Sequence, residues 1–162
     1  MTLELTMTLA EALVERKGLK ERLDSLEERL AVNVHVQEGD TPAETPEALL
    51  AQVDAAIADL ERLIVAINRA NLAARLPGEE GWSLMEAIAR RDMLTLRQGI
   101  LEQTINMTRM ARQRGVVTRS EVRTIVTVDV AAMQKEIDAL AKERRALDMR
   151  LQAANWSVQL MA

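Results

Sequence analysis

Cysteine, phenylalanine and tyrosine are all missing from this chain of 162 residues, and tryptophan occurs only at Trp82 and Trp156. The absence of cysteine excludes disulfides and thiolate metal sites. The shortage of aromatic rings leaves few platforms on which bases or sugars could stack. The core must therefore be built from Leu, Ile, Val, Met and Ala, which pack well between closely spaced helices.

Histidine and glycine are also scarce. The single histidine, His35, lies outside the long helical segments, and no Glu-x-x-His sequence occurs, which argues against di-iron and histidine-bound zinc sites. A Ser-His-Asp system would depend on His35 alone. The six glycines are scattered and form no phosphate-binding loop. We therefore expect no metal, no cofactor and, on balance, no enzyme; His35 is interpreted as the polar face of a strand.

Long apolar runs are absent. No uninterrupted segment approaches the ~20 residues that span a bilayer. The first residues, Met1-Thr2-Leu3-Glu4, show no basic region followed by an apolar stretch, as a secretory signal would. Together with the absence of cysteine, these features predict a soluble, cytoplasmic protein.

Charge is distributed unevenly along the chain, although the net charge is only -4. Residues 1–81 carry 16 acidic and 8 basic side chains, whereas residues 82–128 carry 4 acidic and 8 basic ones. The favoured interpretation is that a basic third helix packs beside two acidic ones with charges paired. The alternative is a surface for anions or nucleic acid, against which the acidic balance of the whole chain argues.

Four segments show aliphatic residues at alternating spacings of three and four, which predicts four long amphipathic helices at about 9–31, 47–75, 84–113 and 129–155. The predicted apolar seams are Leu9, Ala12, Arg16, Leu19, Leu23, Leu26 and Leu30; Leu50, Val53, Ile57, Leu60, Ile64, Ile67 and Asn71; Ala89, Met93, Leu96, Ile100, Gln103, Met107 and Met110; and Met133, Ile137, Leu140, Arg144, Leu147, Leu151 and Ala154.

Local signals mark the starts of these helices. Capping boxes are predicted at Thr8–Glu11 and Ser83–Glu86, Thr45-Pro46 places proline at the first helical position, and Asp129 is a good N-cap. The link between the second and third helices is short, so these two helices should be antiparallel neighbours. The expected fold is mainly α: a single domain over residues 1–162, with four long antiparallel helices in a bundle or coiled-coil arrangement.

A small two-stranded β element is also predicted, at about 32–38 and 116–128. Val32, Val34 and Val36 alternate with polar residues, and the second segment is rich in Val, Thr and Ile. Because two strands alone are marginal in water, they should pair against the bundle.

Polar residues that interrupt these patterns are the candidate site residues. The speculative ligand-binding set is Arg119, Ser120, Glu121, Glu38, Asp40, Arg90, Arg91 and Asp92. If the strands pair, acids and arginines from this set meet at one end of the bundle. They would form either an ion-pair cluster, which we favour, or a small polar pocket. No catalytic residue is assigned.

A second polar set has an expected structural role, because a polar residue on an apolar seam can fix helix register at some cost in stability. This set comprises Arg16, Asn68, Arg69, Asn71, Arg144 and Asn155.

Several short motifs together resemble a family of small helical bacterial proteins labelled septicolysin-like. The matching residues are Val36-Gln37-Glu38-Gly39-Asp40 with Pro42, Glu44 and Pro46; Ile67-Asn68-Arg69 with Asn71; Ala89-Arg90-Arg91-Asp92; Arg119-Ser120-Glu121; Thr127-Val128-Asp129-Val130; and Asn155-Trp156. The resemblance covers nearly the whole chain from Leu9 and implies a helical fold of unknown function with no established catalytic residues. The label suggests a cytolysin, but the chain lacks the cysteine of a thiol-activated toxin.

Three functional hypotheses follow from the sequence. The leading one is a non-enzymatic scaffold or interaction protein that forms a homo-oligomer and could take a protein partner, since four apolar seams supply much surface for one small bundle. The second is a cofactor-free enzyme or small-anion binder using Arg119 with Glu38, Asp40 or Glu121. The third is a nucleic-acid or membrane surface, which the composition disfavours, formed by the arginines Arg109, Arg112, Arg114, Arg119 and Arg123.

Overall fold

The computed structural model describes the backbone of residues 7–78, 81–117 and 125–160, and the side chains of these residues apart from 112–117. Within this part of the chain the fold is mainly helical, as predicted. Its four helices are α1 (Leu9–Asn33), α2 (Pro46–Ala73), α3 (Leu84–Val117) and α4 (Val130–Ser157).

Helix starts follow the predicted capping signals. At α1, the backbone N–H of Glu11 donates to Thr8 Oγ1 at 3.2 Å, and the backbone N–H of Thr8 donates to Glu11 Oε2 at 2.7 Å. Ser83 and Glu86 form the same pair of bonds at α3, with the same two distances. Both capping boxes are therefore confirmed, and each satisfies two backbone donors that the helix start would otherwise leave unpaired.

The other two starts differ in their chemistry. At α4, Asp129 Oδ1 accepts the backbone N–H of Ala132 at 2.9 Å, so this predicted N-cap is confirmed. At α2, Thr45 is the N-cap residue and Pro46 the first helical residue, but the threonine side chain makes no capping bond. Proline suits this position because the N–H it lacks has no helical partner there.

The chain divides into two compact units, of which unit 1 comprises Met1–Arg75 and Gln152–Ala162. In this unit α1 packs against α2 around Leu26, Leu49 and Ala56, which are almost completely buried. The two ends of the described chain pair here: the backbone N–H of Leu9 donates to Val158 O at 2.8 Å, and that of Leu160 to Met7 O at 2.9 Å. This isolated antiparallel bridge holds the segment after α4 against the start of α1.

Unit 2 comprises Leu76–Leu151 and therefore contains α3 and most of α4. Ion pairs join the two helices: Arg90 binds Glu143, and Arg97 binds Glu136. Moving seven residues forward on α3 moves the partner seven residues back on α4, so the helices are antiparallel. The buried apolar residues of this unit include Leu76, Leu84, Ala87, Leu94, Ile105, Ile137, Leu147 and Leu151.

The predicted β element is wrong, since the described residues contain no strand. Val32 lies in the last turn of α1, which continues to Asn33, and the following residues as far as Thr45 form a loop in which Val34 and His35 are exposed. Val116-Val117 ends α3, and residues 125–128 are not extended in a sheet. The rest of the second predicted strand, residues 118–124, lies outside the described residues.

Asn33 gives the physical reason for the error. The valines of the predicted strand are exposed, whereas Asn33, between Val32 and Val34, is buried, with 8% of its surface accessible. Its side-chain Nδ2 donates to Arg29 O at 2.8 Å and so closes the last turn of α1. The alternation of valines with polar residues therefore does not mark an apolar face that is buried, and the strand prediction fails.

The predicted seams have mixed outcomes. On α1 and α4 every predicted seam position is buried or half-buried. On α2 the buried face is shifted by one residue, because the buried set includes Leu49, Ala56, Leu63 and Ala70. On α3 the predicted seam is wrong, since all seven of its residues are exposed. The expectation of a single domain over the whole chain stays a prediction.

Candidate interaction surface

The predicted ligand residues Arg90, Arg91 and Asp92 lie on the described part of α3, and all three form ion pairs. Arg90 Nη2 donates to Glu143 Oε1 at 2.8 Å. Arg91 Nη2 donates to Asp92 Oδ1 at 2.8 Å, and its Nε lies 3.9 Å from Asp148 Oδ1. Each of the two guanidinium groups therefore already faces a carboxylate within unit 2.

The other members of the predicted ligand set lie elsewhere. Glu38 and Asp40 belong to the exposed loop between α1 and α2 in unit 1, where the backbone N–H of Asp40 donates to Gln37 O at 3.0 Å. Arg119, Ser120 and Glu121 lie outside the described residues. The convergence of this set in one site stays a prediction.

The predicted structural polar residues occupy both buried and exposed positions. Arg16, Asn71, Arg144 and Asn155 are half-buried, whereas Asn68 and Arg69 are exposed. Within the described residues, Arg144 Nε and Gln98 Oε1 are buried atoms that lack a hydrogen-bond partner. Both residues lie on the buried faces of α3 and α4, so unit 2 carries polar groups along its apolar contact.

A polar cluster that the sequence patterns did not predict lies in unit 1. Asn33 Oδ1 accepts the backbone N–H of Glu44 at 3.0 Å, and Arg29 Nε donates to Glu44 Oε2 at 2.9 Å. The hydrogen bond between Arg29 and Glu44 is the main cause that lowers the pKa of Glu44 below its ordinary value of 4.5, and the same hydrogen bond is the main cause that raises the pKa of Arg29. The cluster ties the end of α1 to the residue before the N-cap of α2. The sequence signal that could have predicted the burial of Asn33 is its position seven residues after Leu26, which is buried on α1.

An extended exposed apolar feature lies on α3 in unit 2. Its residues are each between 55% and 60% exposed, and they follow the predicted spacing of three and four: Met93, Leu96, Ile100, Met107 and Met110, hereafter the α3 stripe. Single exposed apolar residues are ordinary, but a stripe along five turns of helix is typical of an interaction surface.

A similar, shorter stripe lies on α2 in unit 1. Leu50, Ile57 and Ile64, hereafter the α2 stripe, are 36% to 49% exposed and are spaced seven residues apart. Val53 and Leu60, which lie between them on the same face, are half-buried. The face therefore starts at the α1 contact and extends into solvent.

A groove of about 240 Å³ adjoins the α3 stripe in unit 2, lined by Thr104, Met107, Thr108, Ala111, Ile125, Val126, Thr127 and Val128. Its lining is mainly apolar. The hydroxyls of Thr104 and Thr108 donate to helix carbonyls, those of Ile100 and Ile105 respectively. A specific small-molecule site contains a few polar groups that orient its ligand. The lining of this groove is mostly apolar, and two of its threonine hydroxyls already donate to helix carbonyls. The groove therefore extends the apolar surface of α3.

Two further features bear on function. Within residues 7–78, 81–117 and 125–160, no helix is both long enough and apolar enough to cross a bilayer. In the same part of the chain, no group of three or more His, Asp or Glu side chains is arranged to hold a metal ion.

Comparison with known proteins supports the fold and gives a family. A family model described as a family of unknown function (DUF6847) matches residues 16–160. The crystal structure of a functionally unknown conserved protein from Corynebacterium diphtheriae is similar, with a TM-score of 0.85 and 32% sequence identity over 96% of this chain and 99% of that one. Among curated proteins there is no match. The expected resemblance to proteins of unknown function is confirmed, but nothing supports the septicolysin-like label.

Proposed function

Because the chain belongs to the DUF6847 family of unknown function, we propose a function from its own surface: it is a non-enzymatic helical scaffold that self-associates, a second copy covering the α3 stripe. The observation that carries this proposal is the exposure of five large apolar side chains along one face of α3. The cysteine-free composition suits the reducing cytoplasm, where we place this assembly.

Helix α3 is apolar on two faces. The face that includes Leu84, Ala87, Leu94 and Ile105 is buried in unit 2. At 100° per residue, the α3 stripe lies about 170° around the helix from that face, on nearly the opposite side. A helix that is apolar on one side only can leave its other side in water, whereas α3 has a second side to cover.

The free energy gained by burying the α3 stripe, compared with the cost of association, favours a partner that has its own apolar surface. Burying one Leu, Ile or Met fully is worth about 1.5–3 kcal/mol, so covering five that are just over half exposed contributes roughly 4–8 kcal/mol. Association costs about 4–15 kcal/mol in lost freedom of motion. A second copy that contributes a comparable stripe doubles the favourable contribution, which a polar partner surface would not do.

Size-exclusion chromatography with light scattering tests the proposal. At micromolar concentration the wild type should have at least twice the mass of the chain, and the Leu96→Glu/Ile100→Glu variant should be a monomer, because two charges would have to be buried in the contact. Met149→Glu is the matched control, since Met149 is an exposed apolar residue on α4 outside the α3 stripe. A monomeric wild type, or a double variant that assembles as the wild type does, would refute self-association through this face.

A further inference from the structure

A row of acidic side chains follows the α2 stripe in unit 1. Glu47, Asp54 and Glu61 each precede one residue of that stripe by three positions: Leu50, Ile57 and Ile64 respectively. On a helix, positions three apart are neighbours on the surface, so the three acids, hereafter the α2 acid row, form one edge of the stripe. All three are exposed, and none forms an ion pair within the described residues.

The α3 stripe in unit 2 has a basic edge at the equivalent position. Arg90 and Arg97 precede Met93 and Ile100 by three positions, as the acids of the α2 acid row do on their helix. Each arginine binds one α4 carboxylate, but a guanidinium carries five N–H donors and can bind a second. The side chain of Arg97 is 64% exposed, which leaves it accessible to another molecule.

We propose that the α3 stripe of one copy packs antiparallel on the α2 stripe of a second copy. This inference rests on the proposed function and names the surface that the α3 stripe meets. When two helices pack antiparallel along such seams, residues that lie three positions before a seam residue on one helix face the corresponding residues of the other helix. The α2 acid row then lies opposite Arg90 and Arg97 along the same contact.

The charges beside the stripes favour this arrangement over two symmetric ones, in which a stripe packs on the same stripe of the second copy. If the α3 stripe packed antiparallel on itself, Arg90 and Arg97 would face the same arginines of the second copy. If the α2 stripe packed on itself, three acids would face three acids. Juxtaposed like charges oppose association, whereas the mixed contact pairs opposite charges on seams of the same spacing.

Mixing two single variants tests the inference. Ile57→Glu places a charge in the α2 stripe, and Ile100→Glu places one in the α3 stripe; sedimentation velocity measures the association of each variant and of an equimolar mixture. Each variant alone should lose association by about 100-fold or more in Kd. The mixture should regain a dimer that is weaker than the wild type, because one copy still offers an intact α2 stripe and the other an intact α3 stripe. Circular dichroism checks that both variants are helical.

Charge reversal on the surface gives a second test that does not depend on the apolar variants folding. Asp54→Arg/Glu61→Arg should weaken wild-type association by about tenfold or more, because two pairs of opposite charge become pairs of like charge. Asp24→Arg/Glu28→Arg is the control, since it reverses two exposed acids on α1 outside the stripe. This control should associate as the wild type does.

The outcomes distinguish the inference from the proposed function. A wild type that stays monomeric, or an Ile100→Glu variant that associates normally, overturns both. If Ile100→Glu dissociates while Ile57→Glu associates normally, self-association through α3 stands and the mixed contact is refuted. If both variants dissociate and the mixture stays monomeric, the mixed contact is again refuted. Recovery in the mixture together with loss in the Asp54→Arg/Glu61→Arg variant supports it.

Discussion

At the scale of single residues, Asn33 joins two helices through backbone groups. It is buried, it donates to Arg29 O, and it accepts the backbone N–H of Glu44. An alanine at this position would remove the acceptor of the Glu44 backbone N–H and the side-chain donor to Arg29 O, both in partly buried hydrogen bonds. A partly buried N–H left without its acceptor costs more than the loss of a solvated hydrogen bond.

We therefore expect Asn33→Ala to lower the free energy of unfolding by about 1–3 kcal/mol, as measured by urea denaturation. Asn68→Ala, which removes an exposed asparagine from α2, should change it by less than about 0.5 kcal/mol. Equal effects of the two substitutions would show that the Asn33 contacts do not stabilise the junction.

The ion pair between Arg29 and Glu44 predicts a pH dependence. The pKa of Glu44 is lowered from 4.5 in the folded chain, chiefly by the hydrogen bond from Arg29. A carboxyl whose folded pKa is depressed contributes stability that is complete above its unfolded pKa and is lost as the pH falls through the folded pKa. The stability difference between wild type and Glu44→Gln should therefore be constant above about pH 5 and shrink below pH 4.5.

Urea denaturation at a series of pH values measures this difference. Glu28→Gln controls for the loss of one negative charge, because Glu28 is exposed on α1. A difference between wild type and Glu44→Gln that grew as the pH fell would have the wrong sign and would refute the assigned ion pair.

Residue-level predictions succeeded where the signal is local. The two capping boxes and the Asp129 cap involve residues three positions apart, so sequence spacing is enough to predict them. The role of Asn33 depends on Glu44, eleven residues away, whose position is set by the path of the loop. No short-range pattern encodes that path, which is why the alternation around Asn33 suggested a strand.

At the scale of the element, α3 shows what periodicity can and cannot determine. The spacing of three and four predicted a long helix with one apolar seam, and the long helix is confirmed as α3. The buried face is the other one, and it includes the half-buried polar residues Arg91 and Gln98. These polar residues made the buried face look less apolar in the sequence than the exposed α3 stripe.

Two leucines test this orientation of α3. Leu94 is buried and Leu96 is exposed. At submicromolar concentration, Leu94→Ala should lower the free energy of unfolding by about 2–5 kcal/mol, because it leaves a cavity in the core. Leu96→Ala should lower it by less than about 1 kcal/mol. The reverse order in denaturant unfolding would mean that the two faces of α3 are assigned the wrong way round.

At the scale of the whole molecule, the sequence predicted the four helices and a resemblance to proteins of unknown function, but neither the loop structures nor the candidate surface. The helices follow from patterns within each segment. The exposure of the α3 stripe depends on which face of α3 its partner helix covers, and the spacing of apolar residues within α3 does not determine that. Part of the predicted ligand set, Arg119 to Glu121, lies outside the described residues, so its role stays a prediction.

Methyl NMR of a methionine-labelled chain shows whether a second copy covers the α3 stripe. Met93, Met107 and Met110 belong to the stripe, whereas Met149 is 73% exposed on α4 and serves as an internal control. On dilution from high to low micromolar concentration, the three stripe methyl signals should shift or change in width together, while the Met149 signal stays constant. Stripe signals that do not change over this range, or a change at Met149 alone, would show that no second copy covers the α3 stripe.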